Sequence, residues 1–462
     1  MKKFISFSLL IISMTTITYL YANNASLTKM RNNNIRYIEY SFTDFSGMRK
    51  SLIKPASCVE EDLEKGIYFD GSSIKGCTRI TNSDLLLKPS LDTMRLIPWT
   101  NDATKTVSLV CDMFLDKNTP YTSDPRFILK SVLNEAKQLG YDFFVGPELE
   151  FYIFKQKANQ ESSLIPFDNE SYFENNCSCE DEVMKGNILN NFDALELVPE
   201  KIHHEVGPGQ YEISLHYDNA LKMADKIVTA KHALQAMGNS SNCYVSFMPK
   251  PLSTQNGSGM HIHFSLFDIQ NQKNAFFDPE DKNRLSPIAK SFIAGILHHA
   301  SALTLLFNPT INSYKRLVPG FEAPIFICAG TKNRSALIRL PLFNPDQAEA
   351  ARAEIRSIDP TCNPYLAFAA LLKAGLYGIQ NNLQLDQFIE ENLYEMTSEQ
   401  KIEKGIDTIP SSLPQAIDAF ERSGFLKELL GNHLFDEYIK DKKKEVMQSL
   451  RAITDWELKH YL

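Results

Sequence analysis

The sequence lacks the motifs by which the commonest phosphate-binding enzymes hold a nucleotide. It has no P-loop pattern Gly-x-x-x-x-Gly-Lys-Ser/Thr and no catalytic-loop motif of protein kinases, so any nucleotide must be held in another way. It has no internal repeats and no low-complexity tract, and only residues 4–21 are apolar enough to be considered as a membrane span. A repeat architecture and a protein with several membrane spans are therefore excluded.

The sequence also has fewer basic than acidic residues and few closely spaced cysteines. Lys and Arg number 48 against 56 Asp and Glu, which gives a net charge of -8 and argues against binding to a nucleic-acid backbone. The 8 cysteines are scattered, and only Cys177 and Cys179 lie close together. Because no second pair follows at zinc spacing, this pair is weak evidence of a metal, and we expect mostly free thiols.

The first residues resemble a secretory signal. Met1-Lys2-Lys3 precedes the apolar residues 4–21, and Ala22-Asn23-Asn24-Ala25 offers small residues for cleavage. An uncleaved membrane anchor is the alternative, although about 18 residues rich in Ser and Thr are marginal for a span. We treat residues 1–34 as a leader, so export remains open, and so does membrane association if the leader stays uncleaved.

The rest of the chain divides into a small β-rich unit, residues 35–118, and a larger unit, residues 119–462. In the small unit, strands are expected at residues 35–42, 48–53 and 106–115, with a helix at residues 57–65 capped by Ser57. The larger unit alternates strands and helices. Residues 156–202 show no strong period, which predicts a surface loop around residues 175–184. Arg316 and Glu322 fall in an irregular segment bounded by Pro and Gly, which favours a lid.

Residues 256–266, Asn-Gly-Ser-Gly-Met-His-Ile-His-Phe-Ser-Leu, combine a glycine loop with a strict alternation. Successive side chains of a strand take opposite faces, so Met260, Ile262 and Phe264 point one way while His261 and His263 point the other. Two histidines on a strand are more often surface or hydrogen-bonded core residues than ligands. With glycines at its mouth, the strand nevertheless has the composition of one wall of a polar site.

Several carboxylates are placed to join this wall. Glu148 and Glu150 are two apart on an expected strand and share a face, where they repel each other unless a cation lies between them. A Gly-Pro-Gly turn brings Glu205 near Glu212, and Glu354 lies among apolar residues. Hard oxygen ligands in this number suit Mg²⁺ or Mn²⁺, and one imidazole tilts the site towards accepting Mn²⁺. Four arginines suit phosphate and carboxylate ligands, and together these are the parts of phosphoryl transfer. They are Arg316, Arg334, Arg339 and Arg356.

Six segments resemble, in order, the signature motifs of type I glutamine synthetase, from about Ile35 to the C-terminus. They are Asp70-Gly71-Ser72-Ser73-Ile74, Gly146-Pro147-Glu148-Leu149-Glu150-Phe151, His204-Glu205-Val206-Gly207-Pro208-Gly209-Gln210, Asn256-Gly257-Ser258-Gly259-Met260-His261, Asn312-Ser313-Tyr314-Lys315-Arg316-Leu317-Val318-Pro319-Gly320 and Asn333-Arg334-Ser335-Ala336. One match is easily chance, but six in the family's order are not. The resemblance implies an α+β fold, in which a small N-terminal β-grasp domain precedes a large catalytic domain with an antiparallel β-sheet funnel surrounded by helices.

The resemblance also implies the activity and its site residues. The chain would be a ligase that joins ammonia to L-glutamate with ATP, through a γ-glutamyl phosphate. The first metal would be bound by Glu150, Glu205 and Glu212, and the second by Glu148, His261 and Glu354. Glutamate would be held by Asn256, Gly257, Arg316 and Arg356, and ATP by His263, Ser265, Arg334 and Arg339. Glu150 and Ser73 would also contribute to substrate binding.

The ammonium site and the assembly are implied in the same way. Asp70 and Asp84 would hold ammonium, Asp70 would take its proton, Glu322 would shield the intermediate, and Arg334 would stabilise the transferring phosphoryl group. The usual assembly is a dodecamer of two hexameric rings with active sites between subunits. The resemblance implies a cytoplasmic enzyme, and a signal-like leader is not expected in such an enzyme.

Three departures and two alternatives stay open. Residues 345–352 lack an obvious match to a lysine that some relatives use near ATP, and residues 156–200 follow the family poorly. Tyr394 resembles the tyrosine modified in the adenylylation-regulated branch, yet the extra internal segment of that branch is missing, which favours an ordinary loop tyrosine. The alternatives are a ligase that joins glutamate to an organic amine and a non-catalytic relative with a structural or regulatory role.

Overall fold

The computed structural model describes residues 27–28, 30–77, 83–155, 164–174, 179–318, 323–344, 346–385 and 387–462. Two sheets organise this part of the chain, one of five strands and one of eleven. Of the predicted leader, residues 1–34, residues 1–26 and 29 lie outside the described residues, as do Cys177 and Glu322. The two sheets, with helices packed around the larger one, confirm the expected α+β class.

The small sheet contains strands β1 to β5 in the order β2-β1-β5-β4-β3, with β1 and β5 parallel and the other pairs antiparallel. The strands are Tyr37–Thr43, Arg49–Pro55, Ile67–Asp70, Asp84–Leu96 and Thr106–Phe114, and helix α1 is Val59–Lys65. Alternate apolar side chains such as Ile38, Tyr40 and Leu109 are fully buried in its core. This is the β-grasp domain. The predicted cap at Ser57 is wrong, because a 3₁₀ turn precedes α1 and places Cys58 at its N-cap without a side-chain bond.

The large sheet carries the path β14-β15-β16-β12-β6-β9-β8, with short strands beside it. Its strands β6 to β16 are Tyr141–Lys155, Ile165–Pro166, Pro199–His204, Gln210–Leu215, Asp218–Asn219, Cys243–Ser246, Met260–Asp268, Lys273–Asn274, Phe326–Thr331, Ala336–Leu340 and Ala353–Ile355. All pairs are antiparallel except β14 with β15, which run parallel. The long strands β6 and β12 pair over nine residues and form the spine of the sheet.

Helices cover the apolar side of the large sheet. Helices α2 to α11 are Pro125–Gln138, Cys179–Ala194, Ala220–Ser240, Pro287–Phe307, Ser313–Arg316, Pro364–Gln380, Ser398–Glu403, Leu413–Glu421, Gly424–Arg451 and Asp455–Tyr461. Helices α5 and α7 cross where a Cβ at Gly295 would lie 2.2 Å from the Ala374 carbonyl oxygen, so only glycine fits. The expectation that only residues 4–21 are apolar enough for a membrane span is wrong by length and composition, because helix α5 also qualifies among the described helices. However, 61% of its apolar window is buried inside the protein.

The predicted surface loop around residues 175–184 is partly wrong. Residues 175–178 lie outside the described residues, but from Cys179 the chain forms helix α3. Met184, Ile188 and Phe192 are buried in the main core at intervals of four. The pattern was hard to see because acidic and amide side chains fill most other positions, so the apolar stripe is only one residue wide.

Candidate functional site

Strand register brings the predicted site residues onto one face of six neighbouring strands. On β15 and β16, Arg339 lies opposite Glu354, and Glu354 lies opposite His263 on β12. His261 on the same strand lies opposite Glu148 on β6. One step along β6, Glu150 pairs with Glu212 on β9, which pairs with His203 on β8. Residues directly across a sheet are about 5 Å apart, so the sheet alone gathers these groups.

The alternation predicted for residues 256–266 is present in β12. Met260, Ile262, Phe264 and Leu266 are buried against the helices, with at most 1% of each residue exposed. His261 and His263 therefore face the other side, where the carboxylates of β6 and β16 lie. The apolar half of the strand is what fixes the register of the polar half, because a slip of one residue would place both imidazoles in the core.

Glu148, His261 and Glu354 form a group whose ligand atoms all lie within 4.8 Å of one another. His261 Nδ1 is 3.4 Å from Glu148 Oε2 and 3.8 Å from Glu354 Oε1. Burial and then the charge of Arg356 lower the pKa of His261 to about 4, so the imidazole is neutral at pH 7, which is the form that binds metals. Burial would raise the pKa of Glu148, but hydrogen bonds with His261 and His263 lower it instead.

Glu150 and Glu212 form a second group that shares His261. His261 Nε2 lies 3.7 Å from Glu150 Oε1, and the Gly259 amide donates to Glu150 Oε2 over 2.8 Å. Burial, and then the charges of Glu205 and Glu212, raise the pKa of Glu150 well above its usual range. Burial and the charge of Glu148 raise the pKa of Glu212 to about 7. Both carboxylates are thus destabilised as anions by their neighbours.

The hairpin of β8 and β9 presents Glu205 beside the same groups. Its Gly207-Pro208-Gly209 turn lets the Glu205 amide donate to the Gln210 carbonyl over 2.7 Å. Glu205 joins a third group with His203 and Glu212, and His203 Nε2 is 3.2 Å from Glu205 Oε1. The predicted first-metal set of Glu150, Glu205 and Glu212 is therefore divided between two groups. His203 was not predicted, although its position two residues before Glu205 was a usable signal.

The three groups fit divalent cations. Their donors are carboxylate oxygens with one imidazole each, a set that suits Mg²⁺ or Mn²⁺. The raised pKa of Glu150 is relieved by a cation between it and its neighbours. Lys201, which was also not predicted, lies 3.2 Å from Glu212 Oε1 and 3.7 Å from Glu148 Oε1 and supplies part of this positive charge.

Arginines hold Glu354 from two directions. Arg356 Nη1 donates to its Oε1 over 2.5 Å, and Arg339 Nη1 donates to its Oε2 over 2.6 Å. Glu354 is completely buried. Burial would raise its pKa, yet the charge of Arg356 lowers it. Glu354, a predicted metal ligand, is therefore bonded both to Arg339, predicted for ATP, and to Arg356, predicted for glutamate. The sequence pattern does not reveal this shared contact.

A small cavity opens beside Glu150. Besides Gln210 and Ala323, its lining consists of seven residues predicted for glutamate or metal: Glu150, Glu205, Asn256, Gly257, His261, Arg316 and Arg356. The Arg316 guanidinium donates to the main-chain carbonyls of Ser357, over 2.8 Å, and Arg356, over 3.0 Å. Burial lowers its pKa. Arg316 is 5% exposed at the end of helix α6, so the expectation that it lies on a lid is wrong.

A wider cavity lies on the other side of Glu148. His263, Ser265 and Arg352 line it. Arg352 Nε donates to His263 Nδ1 over 3.3 Å, and His263 Nε2 lies 3.3 Å from Glu148 Oε1. An acceptor at Nδ1 places the proton on Nε2 and so orients the ring. Residues 345–352 contain no lysine. The basic group that this segment places beside the wider cavity is the Arg352 guanidinium.

Arg334, Asp70, Asp84 and Ser73, which were also predicted, line neither of these cavities. Arg334 is exposed just before β15, where its charge acts on the Tyr172 hydroxyl, whose pKa burial raises. Asp70 and Asp84 face each other across β3 and β4 and are exposed. Asp70 accepts hydrogen bonds from the Ser72 amide and hydroxyl, which lower its pKa, and Ser73 Oγ lies 3.5 Å from its Oδ2. Glu322 lies outside the described residues.

A five-stranded domain followed by a mostly antiparallel sheet, with carboxylates and imidazoles grouped between two cavities, defines the class first: a protein of two sheets with candidate sites for divalent cations. A family model described as glutamine synthetase, catalytic domain, matches residues 122–461, and one described as glutamine synthetase, beta-Grasp domain, matches residues 34–116. The chain belongs to the glutamine synthetase family and is a ligase of glutamine biosynthesis.

Individual relatives agree along most of the chain. It is 42% identical over 431 residues to the glutamine synthetase of Thermotoga maritima, with 93% of this chain and 97% of the relative covered. It is 40% identical over 442 residues to that of Methanocaldococcus jannaschii, with 94% and 96% covered. Among solved structures, a complex of GmaS with ADP superposes with a TM-score of 0.83 at 28% identity, covering 93% of this chain and 97% of that one.

Proposed function

We propose that the chain forms glutamine from L-glutamate, ammonia and ATP, with γ-glutamyl phosphate as the intermediate. The observation that carries the proposal is the buried carboxylate and histidine stripe, which separates a small cavity lined by arginines from a larger one. A carboxylate is a poor electrophile, and it must be phosphorylated before an amine can displace its oxygen. Two cavities that meet at a cation site are what this two-substrate chemistry needs.

The small cavity would hold glutamate. Arg316 is fixed by two main-chain carbonyls and keeps further N–H donors for a carboxylate. Arg356, Asn256 and Gly257 line the same cavity. A Cβ on Gly257 would lie 2.5 Å from the Pro249 carbonyl oxygen and 2.8 Å from the Arg316 side chain, so glycine is required there.

The large cavity would hold ATP. His263 and Ser265 line it near Glu148, while Arg339 and Arg334 would act on the phosphates. Cations held by Glu150, Glu205 and Glu212 and by Glu148, His261 and Glu354 would supply positive charge for the transferring phosphoryl group. The γ-carboxylate oxygen of glutamate forms a bond to the γ-phosphorus as the bond to ADP breaks. Arg334 would stabilise the negative charge that develops on the phosphoryl oxygens.

The amide would form when ammonia attacks the acyl carbon and phosphate leaves. Asp70, Asp84 and Ser73 would bind ammonium, Asp70 would accept its proton, and Glu322 would shield the intermediate from water. Asp70 belongs to the β-grasp domain, and its hydrogen bonds stay within residues 70–73. We propose that it completes the site of a neighbouring subunit in a dodecamer of two hexameric rings, in the cytoplasm, where ATP is abundant. The domain boundary would fall at residues 118 and 119.

Ammonia is expected to be preferred over methylamine by about 10- to 100-fold in kcat/KM, because the carboxylate pair Asp70 and Asp84 suits a small cation better than an alkylated one. Product formation from glutamate, ATP and Mg²⁺ or Mn²⁺ is measured with each amine in parallel, by separating glutamine from the methylamide. Equal rates, or turnover with methylamine alone, would favour the organic-amine ligase. No turnover with either amine would favour the non-catalytic relative.

A further inference from the structure

Tyr394 belongs to a loop, residues 389–396, that is tied to the segment of the predicted phosphate-binding arginine. The Asn333 amide nitrogen donates to two carbonyls of this loop, those of Ile389 and Glu391, each over 2.9 Å. The Ser335 hydroxyl oxygen accepts from the Leu393 amide over 3.2 Å. Asn333 and Ser335 flank Arg334 in the sequence. These hydrogen bonds therefore attach one side of the loop to the segment that carries Arg334.

The other side of the loop reaches the wall of the small cavity through one side chain. The Tyr394 hydroxyl donates to the main-chain carbonyl of Ala323 over 2.8 Å, and Ala323 lines the cavity that contains Arg316. The Tyr394 ring packs on Phe326 at the start of β14, with ring centroids 6.0 Å apart. Neighbouring Leu393 is completely buried and anchors the loop. This anchor and the contact with Phe326 hold the Tyr394 ring with its hydroxyl directed at the Ala323 carbonyl.

A second observation places the hydroxyl near the substrate-binding arginine. Tyr394 is close enough to act electrostatically on the buried Arg316 guanidinium, whose pKa burial lowers. The Tyr394 hydroxyl thus bonds to a wall of the cavity that Arg316 also lines, while the loop that carries it is bonded to the residues on either side of Arg334.

We propose that Tyr394 is a positioning residue for glutamate, which fixes the Ala323 wall of the cavity relative to Arg316 through its hydroxyl. This inference rests on the proposed function, because it takes the small cavity as the glutamate site. The role requires the hydroxyl itself, since the ring contact with Phe326 survives without it.

Tyr394→Phe is expected to raise the KM for glutamate by about two- to tenfold, which is the effect of one lost hydrogen bond. The KM for ATP and kcat at saturating glutamate should change less than about twofold, because the ring and the loop anchors remain. Tyr438→Phe is the matched control. It also removes a tyrosine hydroxyl that donates to a main-chain carbonyl, that of Leu305 over 3.4 Å, at a buried position between helices α5 and α10.

Steady-state kinetics of the full chain, with thermal unfolding of all three proteins, decides between positioning and simple stability. An unchanged KM for glutamate in Tyr394→Phe, or the same change in Tyr438→Phe, overturns the proposal. Direct calorimetric titration with glutamate separates it from the proposed function. If the wild-type protein binds glutamate but makes no glutamine, the proposed function fails, whereas weaker binding by Tyr394→Phe would still support the positioning role. If the wild type binds no glutamate, the inference is overturned as well.

Discussion

Glu148→Ala is expected to lower ATP-dependent glutamine formation by about 1000-fold or more, because a metal-bound site contributes several kcal/mol to the transition state. Glu148 lies between His261 and His263 and also faces Lys201. Without it, two imidazoles lose their shared acceptor, and a cation held there would lose a charged ligand. Glu205→Ala should have a comparable effect from the other side of the stripe. Product formation at saturating substrates, with Mg²⁺ and with Mn²⁺, measures both.

The control for these variants removes the same charge from a distant surface. Glu421 forms an exposed ion pair with Lys443 between helices α9 and α10, and such pairs contribute little to stability. Glu421→Ala should retain wild-type activity and a wild-type melting temperature. Full activity in either Glu148→Ala or Glu205→Ala would remove the carboxylate stripe from the reaction.

Mixed oligomers of Asp70→Ala and Glu148→Ala subunits should recover about a quarter of wild-type activity, although each variant alone is nearly inactive. If Asp70 of one subunit completes the Glu148 site of its neighbour, random pairing in a symmetric ring places both intact residues at about one interface in four. The two variants can be coexpressed with different tags, and oligomers that carry both tags can be purified and assayed.

A dilution experiment checks the same geometry from the opposite direction. When wild-type subunits are mixed one to one with the double variant Asp70→Ala/Glu148→Ala, a shared site needs two wild-type neighbours. Activity should then fall to about a quarter of the undiluted value, whereas a site within one chain would retain about half. Inactive mixed oligomers in the first experiment, or half activity in the second, would show that Asp70 serves its own chain.

Local patterns were enough to predict much of the site because it is built on strands. Alternation in β12 separates the histidines from the core, and the spacing of Glu148 and Glu150 gives them one face. The sequence does not show which strands pair or in which register. In the structure, the register aligns Arg339, Glu354 and His263 across strands that are distant along the chain. The same strand periodicity was available for His203, two residues before Glu205, but His203 was not predicted.

Other features had no local signal. Arg352 and Lys201 lie in the site only because β16 and β8 carry them there, and a single basic residue near a strand end has no distinguishing pattern. Arg316 was expected on a lid because Pro and Gly follow it. The structure buries it instead, since two main-chain carbonyls accept its donors. Helix α3 was missed because it buries only about one apolar residue per turn, which is narrower than the apolar stripe of a typical amphipathic helix.

The most direct test of the central claim follows the oxygen of the glutamate carboxylate. Glutamate labelled with ¹⁸O in its γ-carboxylate is incubated with ATP, ammonia and Mg²⁺, and the inorganic phosphate is analysed by mass spectrometry. If the γ-oxygen attacks phosphorus and later leaves with the phosphoryl group, one labelled oxygen appears in phosphate for each glutamine formed. Glutamine formation with unlabelled phosphate would contradict the γ-glutamyl phosphate route and the roles assigned to the two cavities.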